Sequence, residues 1–158
     1  MNIIQAQNPF FEKYSTPHGT IPFDKIKTEH YEPAIREGIS RHDAEIDAII
    51  SNTEAPTFAN TVAAYEKSGQ LLSQVSTVFG NLLSAETNDD MQELAKTMMP
   101  LLSEHSNNIT LNEKLFARIK AVYDQKAQAN LTPEQNKLLE EVYNSFIRSG
   151  ANLEGEAK

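Results

Sequence analysis

Apolar residues recur along most of the chain at the three- and four-residue intervals that are typical of an α-helix. The first such stripe predicts a helix from about Thr28 or Glu32 to about Ser51. Pro33 does not decide between these two starts of the helix. A proline fits the first turn of a helix better than its interior, so the helix either begins just before Pro33 or lacks one early hydrogen bond. The members of this stripe are Ile35, Ile39, His42, Ile46 and Ile49.

A second, longer helix is predicted after Pro56, with Thr57 as its N-cap. At about 27 residues it would be roughly 40 Å long, so part of it is expected to project from the body of the protein. Gly69 interrupts its stripe and Gly80 adjoins it; either they allow another backbone to approach closely, or they only reduce stability. The stripe consists of Phe58, Val62, Tyr65, Leu72, Val75, Phe79 and Leu82.

Three further helices follow in the same pattern. The third opens near residues 87–90, where acidic residues suit a first turn, and Pro100 should kink it. The fourth follows Asn112. The fifth begins at Thr132 and Pro133, with Gln135 placed to complete a capping box, and it ends near Gly150. Their inward residues are Met91, Leu94, Met98, Leu102, His105 and Ile109; Leu115, Ile119 and Val122; and Leu139, Val142, Phe146 and Ile147.

The pattern predicts an all-α fold of about five helices, in a bundle or in stacked hairpins. No segment alternates β-branched and polar residues as a strand would. An irregular amino-terminal arm, residues 1–27, precedes a helical domain, residues 28–158. Prolines and glycine punctuate the arm, and its aromatic side chains should hold it against the helices. These anchors are Phe10, Phe11, Tyr14 and Phe23.

The net charge of the chain disfavours some classes of binding partner. Fourteen basic residues against 22 acidic ones give a net charge of -8, which disfavours binding to nucleic acid and to anionic membrane surfaces. No run reaches the roughly 18 apolar residues of a membrane-spanning helix. There is no cysteine, hence no disulfide and no thiolate ligand. Residues 1–7 lack the features of a secretory signal, which favours the cytoplasm over the periplasm.

The histidines are the candidates for metal chemistry. None is followed by Glu, and none has a Glu three residues before it, so neither the H-E-x-x-H zinc motif nor the E-x-x-H motif of helical bundles is present. His42 and His105 lie on apolar stripes and are interpreted as hydrogen-bonded histidines of the core or its boundary. The alternative is a shared metal or cofactor site. The remaining two are His18 and His30.

Other motifs are absent or incomplete. Gly150 and Gly155 have the spacing of a phosphate-binding loop, but Glu156 stands where that loop needs a lysine. No nucleophile elbow and no dinucleotide fingerprint occurs. The residues therefore predict no catalytic, cofactor-binding or metal-binding position in this chain.

Several segments resemble, in order, the amino-terminal region of the zinc oligopeptidases related to thimet oligopeptidase, most closely the bacterial peptidyl-dipeptidase and oligopeptidase A branch. The segments are Asn8-Pro9-Phe10, similar to the family's N-P-[LF]; Phe23 to Ala34, similar to F-x-x-I-x-x-E-H-[FY]-x-P-A; Ala55 to Thr61, similar to A-P-T-F-x-N-T; Glu66 to Leu72; and Ser149 to Leu153, similar to G-A-x-L.

The resemblance implies a mostly helical enzyme with a deep channel between two lobes. Its zinc would activate water for the hydrolysis of short peptides, and its zinc ligands would lie in a carboxy-terminal catalytic part that this chain does not contain. The chain would then form a wall or lid of the channel, would contact the catalytic half of the same polypeptide, and would be inactive alone. Whether the parent removes dipeptides or cuts internally is left open.

An alternative to this peptidase domain is a free-standing helical interaction module, which would use the long second helix to recruit a partner helix. A helical metal or cofactor carrier built on His42 and His105 is the third possibility.

Overall fold

The computed structural model describes residues 8–152 and confirms the all-α fold class. Three short 3-10 turns, Pro9–Phe11, Pro17–Gly19 and Phe23–Lys25, precede the helices, and no strand occurs within residues 8–152. The helices are α1 (Thr28–Ser51), α2 (Ala63–Lys67, directly after a π-helical turn at Phe58–Val62), α3 (Gln70–Ala85), α4 (Asp89–Thr110), α5 (Glu113–Asp124) and α6 (Pro133–Arg148).

Side chains cap the starts of α5 and α6, and the cap at Thr132 is the predicted one. The backbone N–H of Gln135 donates to Oγ1 of Thr132, and Oε1 of Gln135 accepts from the backbone N–H of Thr132. The side chain of Asn112 accepts from the N–H of Leu115 at the start of α5. These bonds satisfy amide groups that have no partner within the helix, which is why the helices begin at these residues.

The prediction of one long second helix is wrong. The chain leaves the helical conformation after Lys67: Ser68 is extended, and Gly69 has a left-handed backbone with φ of +67° before α3 begins. The stripe from Phe58 to Leu82 is therefore divided between two helices. Glycine adopts the left-handed conformation at little cost, and an apolar stripe alone does not record such a break.

Gly38 marks a close approach of α1 to α3. A Cβ atom at this position would lie 2.9 Å from the Cα atom of Leu72, closer than packed atoms come. The backbones of the two helices approach each other here because Gly38 has no side chain. Gly80 makes no such approach: a Cβ atom there would have no neighbour within 4 Å.

The chain divides into two compact units. The first contains the described residues up to His42 together with Gly69–Leu102, and the second contains Asp43–Ser68 together with the described residues from Ser103 onward. The first unit has its own core of buried side chains, contributed by the arm, α1, α3 and α4. Its members are Phe10, Tyr31, Ala34, Ile35, Leu72, Val75, Val78, Phe79, Met91 and Met98.

The second unit has a separate core, which draws on α1, the π-helical turn, α4, α5 and α6. The predicted inward residues of α5 and α6 are confirmed here, apart from Ile147, which is only partly buried against this core. Its buried members are Ile46, Ile49, Val62, Ile109, Leu115, Phe116, Ile119, Val122, Leu139, Val142, Phe146 and Ala151.

The aromatic residues of the arm differ in their burial. Phe10 is buried in the first core, and Phe11 packs against that core as a partly buried side chain. Tyr14 is half-buried and its hydroxyl accepts a hydrogen bond from Gln74 at 3.1 Å. The prediction of Phe23 as an anchor is wrong, since 55% of its surface is exposed.

Some expectations fall outside the described residues. They concern residues 1–7, the phosphate-loop comparison at Gly155 and Glu156, and Leu153 at the end of the last motif. Among the residues that are described, no helix is long and apolar enough to cross a membrane.

Candidate functional site

Two of the four histidines lie near the amino-terminal turns. His30 accepts a hydrogen bond at Nδ1 from the backbone N–H of Lys27, 3.0 Å away, and thereby caps the start of α1. His18 is exposed within the turn Pro17–Gly19 and has a left-handed backbone with φ of 60°. Within residues 8–152, neither imidazole belongs to a group of three or more potential metal ligands.

The other two histidines contact different neighbours. His105 is buried, with 7% of its surface exposed, and its Nδ1 lies 3.3 Å from Oδ1 of Asp43. His42 is half-buried and its ring lies against Gly69, where an added Cβ atom would come within 2.8 Å of ring atoms. Each imidazole therefore has a packing or polar role in its own unit.

Within residues 8–152 no three or more His, Cys, Asp or Glu side chains are grouped so that they could hold a metal ion. The imidazole of His105 is directed at one carboxylate and that of His30 at a backbone amide. A zinc site needs three or four converging ligands. The donor set of the described residues does not fit a zinc ion.

The first motif, Asn8-Pro9-Phe10, ties the arm to α1. The Asn8 side chain is buried, accepts at Oδ1 from the N–H of Phe10 at 3.1 Å, and donates from Nδ2 to the backbone oxygen of His30 at 2.8 Å. Pro9 starts the 3-10 turn that Asn8 caps. An amide side chain suits this position because it both donates and accepts hydrogen bonds.

The second motif contributes Tyr31 to the same core. Its ring lies between those of Phe10 and Phe79, with centroid distances of 5.4 and 5.2 Å. The hydroxyl is buried and has no hydrogen-bond partner within the described chain. Burial raises the pKa of this phenol above its ordinary value.

The third motif, Ala55 to Thr61, builds the turn that precedes α2. Thr57 and Asn60 form a reciprocal capping box, with the Asn60 side chain accepting from the N–H of Thr57 at 2.8 Å. Asn60 also donates from Nδ2 to the oxygen of Ala55 at 3.0 Å, and Thr61 donates its hydroxyl to Oδ1 of Asn60 at 2.9 Å. The polar residues of this motif are thus hydrogen-bonded within the motif itself.

Arg118 is a residue whose role the sequence does not reveal. Its guanidinium donates to the backbone oxygen of Asn52 at 2.7 Å and to that of Glu54 at 3.3 Å, and so fixes the chain just after α1 ends. Backbone oxygens outside helices and strands need other donors, and a cation near a helix carboxyl end suits the negative end of the helix dipole. No motif or apolar spacing points to such a contact.

Aromatic residues of α5 and α6 meet a lysine of the turn that follows α5. The rings of Tyr123 and Tyr143 are stacked at 3.9 Å, and Nζ of Lys126 lies 4.3 Å from the centroid of Tyr123. Lys126 also donates to Glu140 at 2.9 Å. This hydrogen bond, together with the charge of Lys126, holds the pKa of Glu140 below its usual value.

One groove of the first unit has a volume of about 990 Å3. It is lined by the first turns of α1 and α4 and by Lys27. Four carboxylates and two cations line it together with apolar residues, and Glu32 is already paired with Arg36 at 2.9 Å. The charged residues are Glu29, Glu32, Asp90, Glu93, Lys27 and Arg36, and the apolar ones are Pro33 and Leu94. Acidic residues in a first helical turn are stabilised by the helix dipole, which accounts for Glu29 and Asp90.

The chain is similar to curated bacterial peptidases over nearly its whole length. It is 40% identical to the dipeptidyl carboxypeptidase of Salmonella typhimurium over 153 residues, which cover 97% of this chain and 22% of that protein. It is 40% identical to the dipeptidyl carboxypeptidase of Escherichia coli over 148 residues, and 24% identical to the oligopeptidase A of Salmonella typhimurium over 149 residues. No protein-family model matches the chain.

The match covers only part of the length of these relatives. The chain spans about a fifth of the length of the relatives that it matches. The predicted resemblance is confirmed, and the matched segment fits the amino-terminal region of such a protein.

Proposed function

We propose that this chain, which fits the amino-terminal region of a thimet oligopeptidase-family peptidase, is the amino-terminal domain of a zinc-dependent enzyme that hydrolyses short peptides. One observation carries the proposal: 97% of the chain matches a dipeptidyl carboxypeptidase at 40% identity, while the match covers only 22% of that relative. A domain of a larger peptidase accounts for both percentages.

The zinc ion of the proposed enzyme would be bound outside the described residues. Their donor groups do not converge on a metal position, and the sequence has no H-E-x-x-H motif. When bound, the zinc would supply a polarised water for attack on the peptide carbonyl. The residues of this chain would not take part in that step.

The role that we assign to this chain is that of a channel wall or lid. This role is supported by the structural contacts that the motif residues make. Asn8, Tyr31 and Asn60 are all engaged in joining or capping elements of the fold, as expected of a rigid scaffold. Rigid walls around a narrow channel would admit short unstructured peptides and exclude folded proteins. The partners would be the catalytic half of the same polypeptide and the peptide substrate.

The names of the relatives support one mode of cleavage for the proposed enzyme. Identity is 40% to proteins named dipeptidyl carboxypeptidase and 24% to one named oligopeptidase A. This difference favours release of dipeptides from the carboxyl end over internal cleavage. The alternative function, a free-standing interaction module, depended on a long second helix, and that helix is broken at Gly69.

The test compares two purified proteins on an internally quenched peptide, with products identified by mass spectrometry. One is the 158-residue chain, and the other is the chain together with whatever the coding sequence encodes after Lys158. We expect no cleavage by the first. We expect the second to release carboxy-terminal dipeptides, to lose activity in a chelator and to regain it with zinc. Cleavage by the shorter chain in proportion to its concentration would refute the proposal, and a stop codon directly after Lys158 would favour the interaction module.

A further inference from the structure

We draw no further inference here: the strongest candidate, the groove of about 990 Å3 lined by the first turns of α1 and α4 in the first unit, owes its character to acidic residues at two helix amino termini, and nothing in the described part of the chain shows what occupies it.

Discussion

At the scale of single residues, Tyr31 combines a favourable ring position with an unfavourable hydroxyl. The ring packs between Phe10 and Phe79, but the hydroxyl is buried without a hydrogen-bond partner in the described chain. Burying an unpaired hydroxyl costs free energy because its hydrogen bonds to water are lost and not replaced. We expect Tyr31→Phe to raise the free energy of unfolding by about 1 kcal/mol, measured by urea denaturation.

A matched control separates the ring from the hydroxyl. Tyr31→Leu removes both, and it should lower the free energy of unfolding by about 2 kcal/mol because the aromatic contacts are lost. If Tyr31→Phe instead lowered stability by a similar amount, the hydroxyl would have to make a favourable hydrogen bond, for instance with an internal water molecule.

The pair of Lys126 and Glu140 predicts a measurable titration. Lys126 holds the pKa of Glu140 below its usual value, chiefly through their hydrogen bond. A carboxyl group with a lowered pKa in the folded state stabilises the protein above its unfolded pKa, and this contribution is lost as the pH falls through the folded pKa. In Lys126→Met, the pKa of Glu140 should rise toward its ordinary value, as followed by NMR of the carboxyl carbon.

Lys137 provides the control for this titration. It also lowers the pKa of Glu140, but by charge alone and as the weakest of the causes, and its own ion pair is with Glu141 at 3.2 Å. Lys137→Met should therefore shift the Glu140 titration less than Lys126→Met does. Equal shifts in the two variants would show that the hydrogen bond contributes nothing beyond charge.

The burial of a residue could be predicted where the sequence around it has a helical period, and could not be predicted elsewhere. The stripe places His105 in the interior, where it is found, because a helical period defines one buried face. Phe23 was expected to be buried and is exposed, because an irregular segment has no period from which a buried face can be inferred. The contacts of Arg118 with backbone oxygens could not be predicted, since every residue carries the same acceptor.

At the scale of elements, the break between α2 and α3 rests on Gly69. Its φ of +67° is costly for any residue with a Cβ atom, and that atom would also lie 2.8 Å from the His42 ring. We expect Gly69→Ala to lower the free energy of unfolding by at least about 1 to 2 kcal/mol from the backbone alone. Thermal and urea denaturation followed by circular dichroism would measure it.

Gly80 provides the opposite case in the same helical region. It lies inside α3, and a Cβ atom there would meet no neighbour within 4 Å. Gly80→Ala should therefore raise the free energy of unfolding by roughly 0.5 to 1 kcal/mol, because alanine favours a helix. A stabilising Gly69→Ala would contradict the assignment of the break to Gly69, and a destabilising Gly80→Ala would contradict the open surroundings of Gly80.

Elements with a local chemical signal were predictable, and the break was not. The cap at Thr132 depends on residues within one turn of each other, so the sequence contains the whole interaction. Gly69 interrupts the stripe, but the same interruption fits a glycine that only weakens a continuous helix. The ring of His42 packs against the turn at Gly69. His42 stands 27 positions earlier in the chain, so the sequence around Gly69 does not indicate this contact.

At the scale of the whole molecule, one apolar stripe can serve two cores. Ile35 of α1 lies in the core of the first unit, whereas Ile46 and Ile49 of the same helix lie in that of the second. Helical periodicity defines the buried face but not the neighbours against which it packs. Apart from the break at Gly69, the sequence therefore predicted the helices and their inward sides, whereas the division into two units could not be predicted from it.

The net charge of -8 gives a prediction for the whole chain. Repulsion from phosphates should prevent binding to duplex DNA even at low salt, where such binding is strongest. Fluorescence anisotropy with a labelled duplex would measure this, with a basic protein of similar size as the positive control. Binding that weakened as salt was added would reveal a basic surface that outweighs the net charge.

The contact between Arg118 and the chain after α1 has a consequence for tolerance to change. The guanidinium bonds to the main-chain oxygens of Asn52 and Glu54, which are present whatever side chains stand there. Substitutions in this stretch leave both acceptors in place, but an inserted or deleted residue moves them out of reach. We therefore expect the length of this loop to matter more than its composition. Asn52 is the exception, since its Oδ1 accepts from the N–H of Glu54 at 2.8 Å, so a label or probe is better introduced by exchange of Thr53 than by insertion.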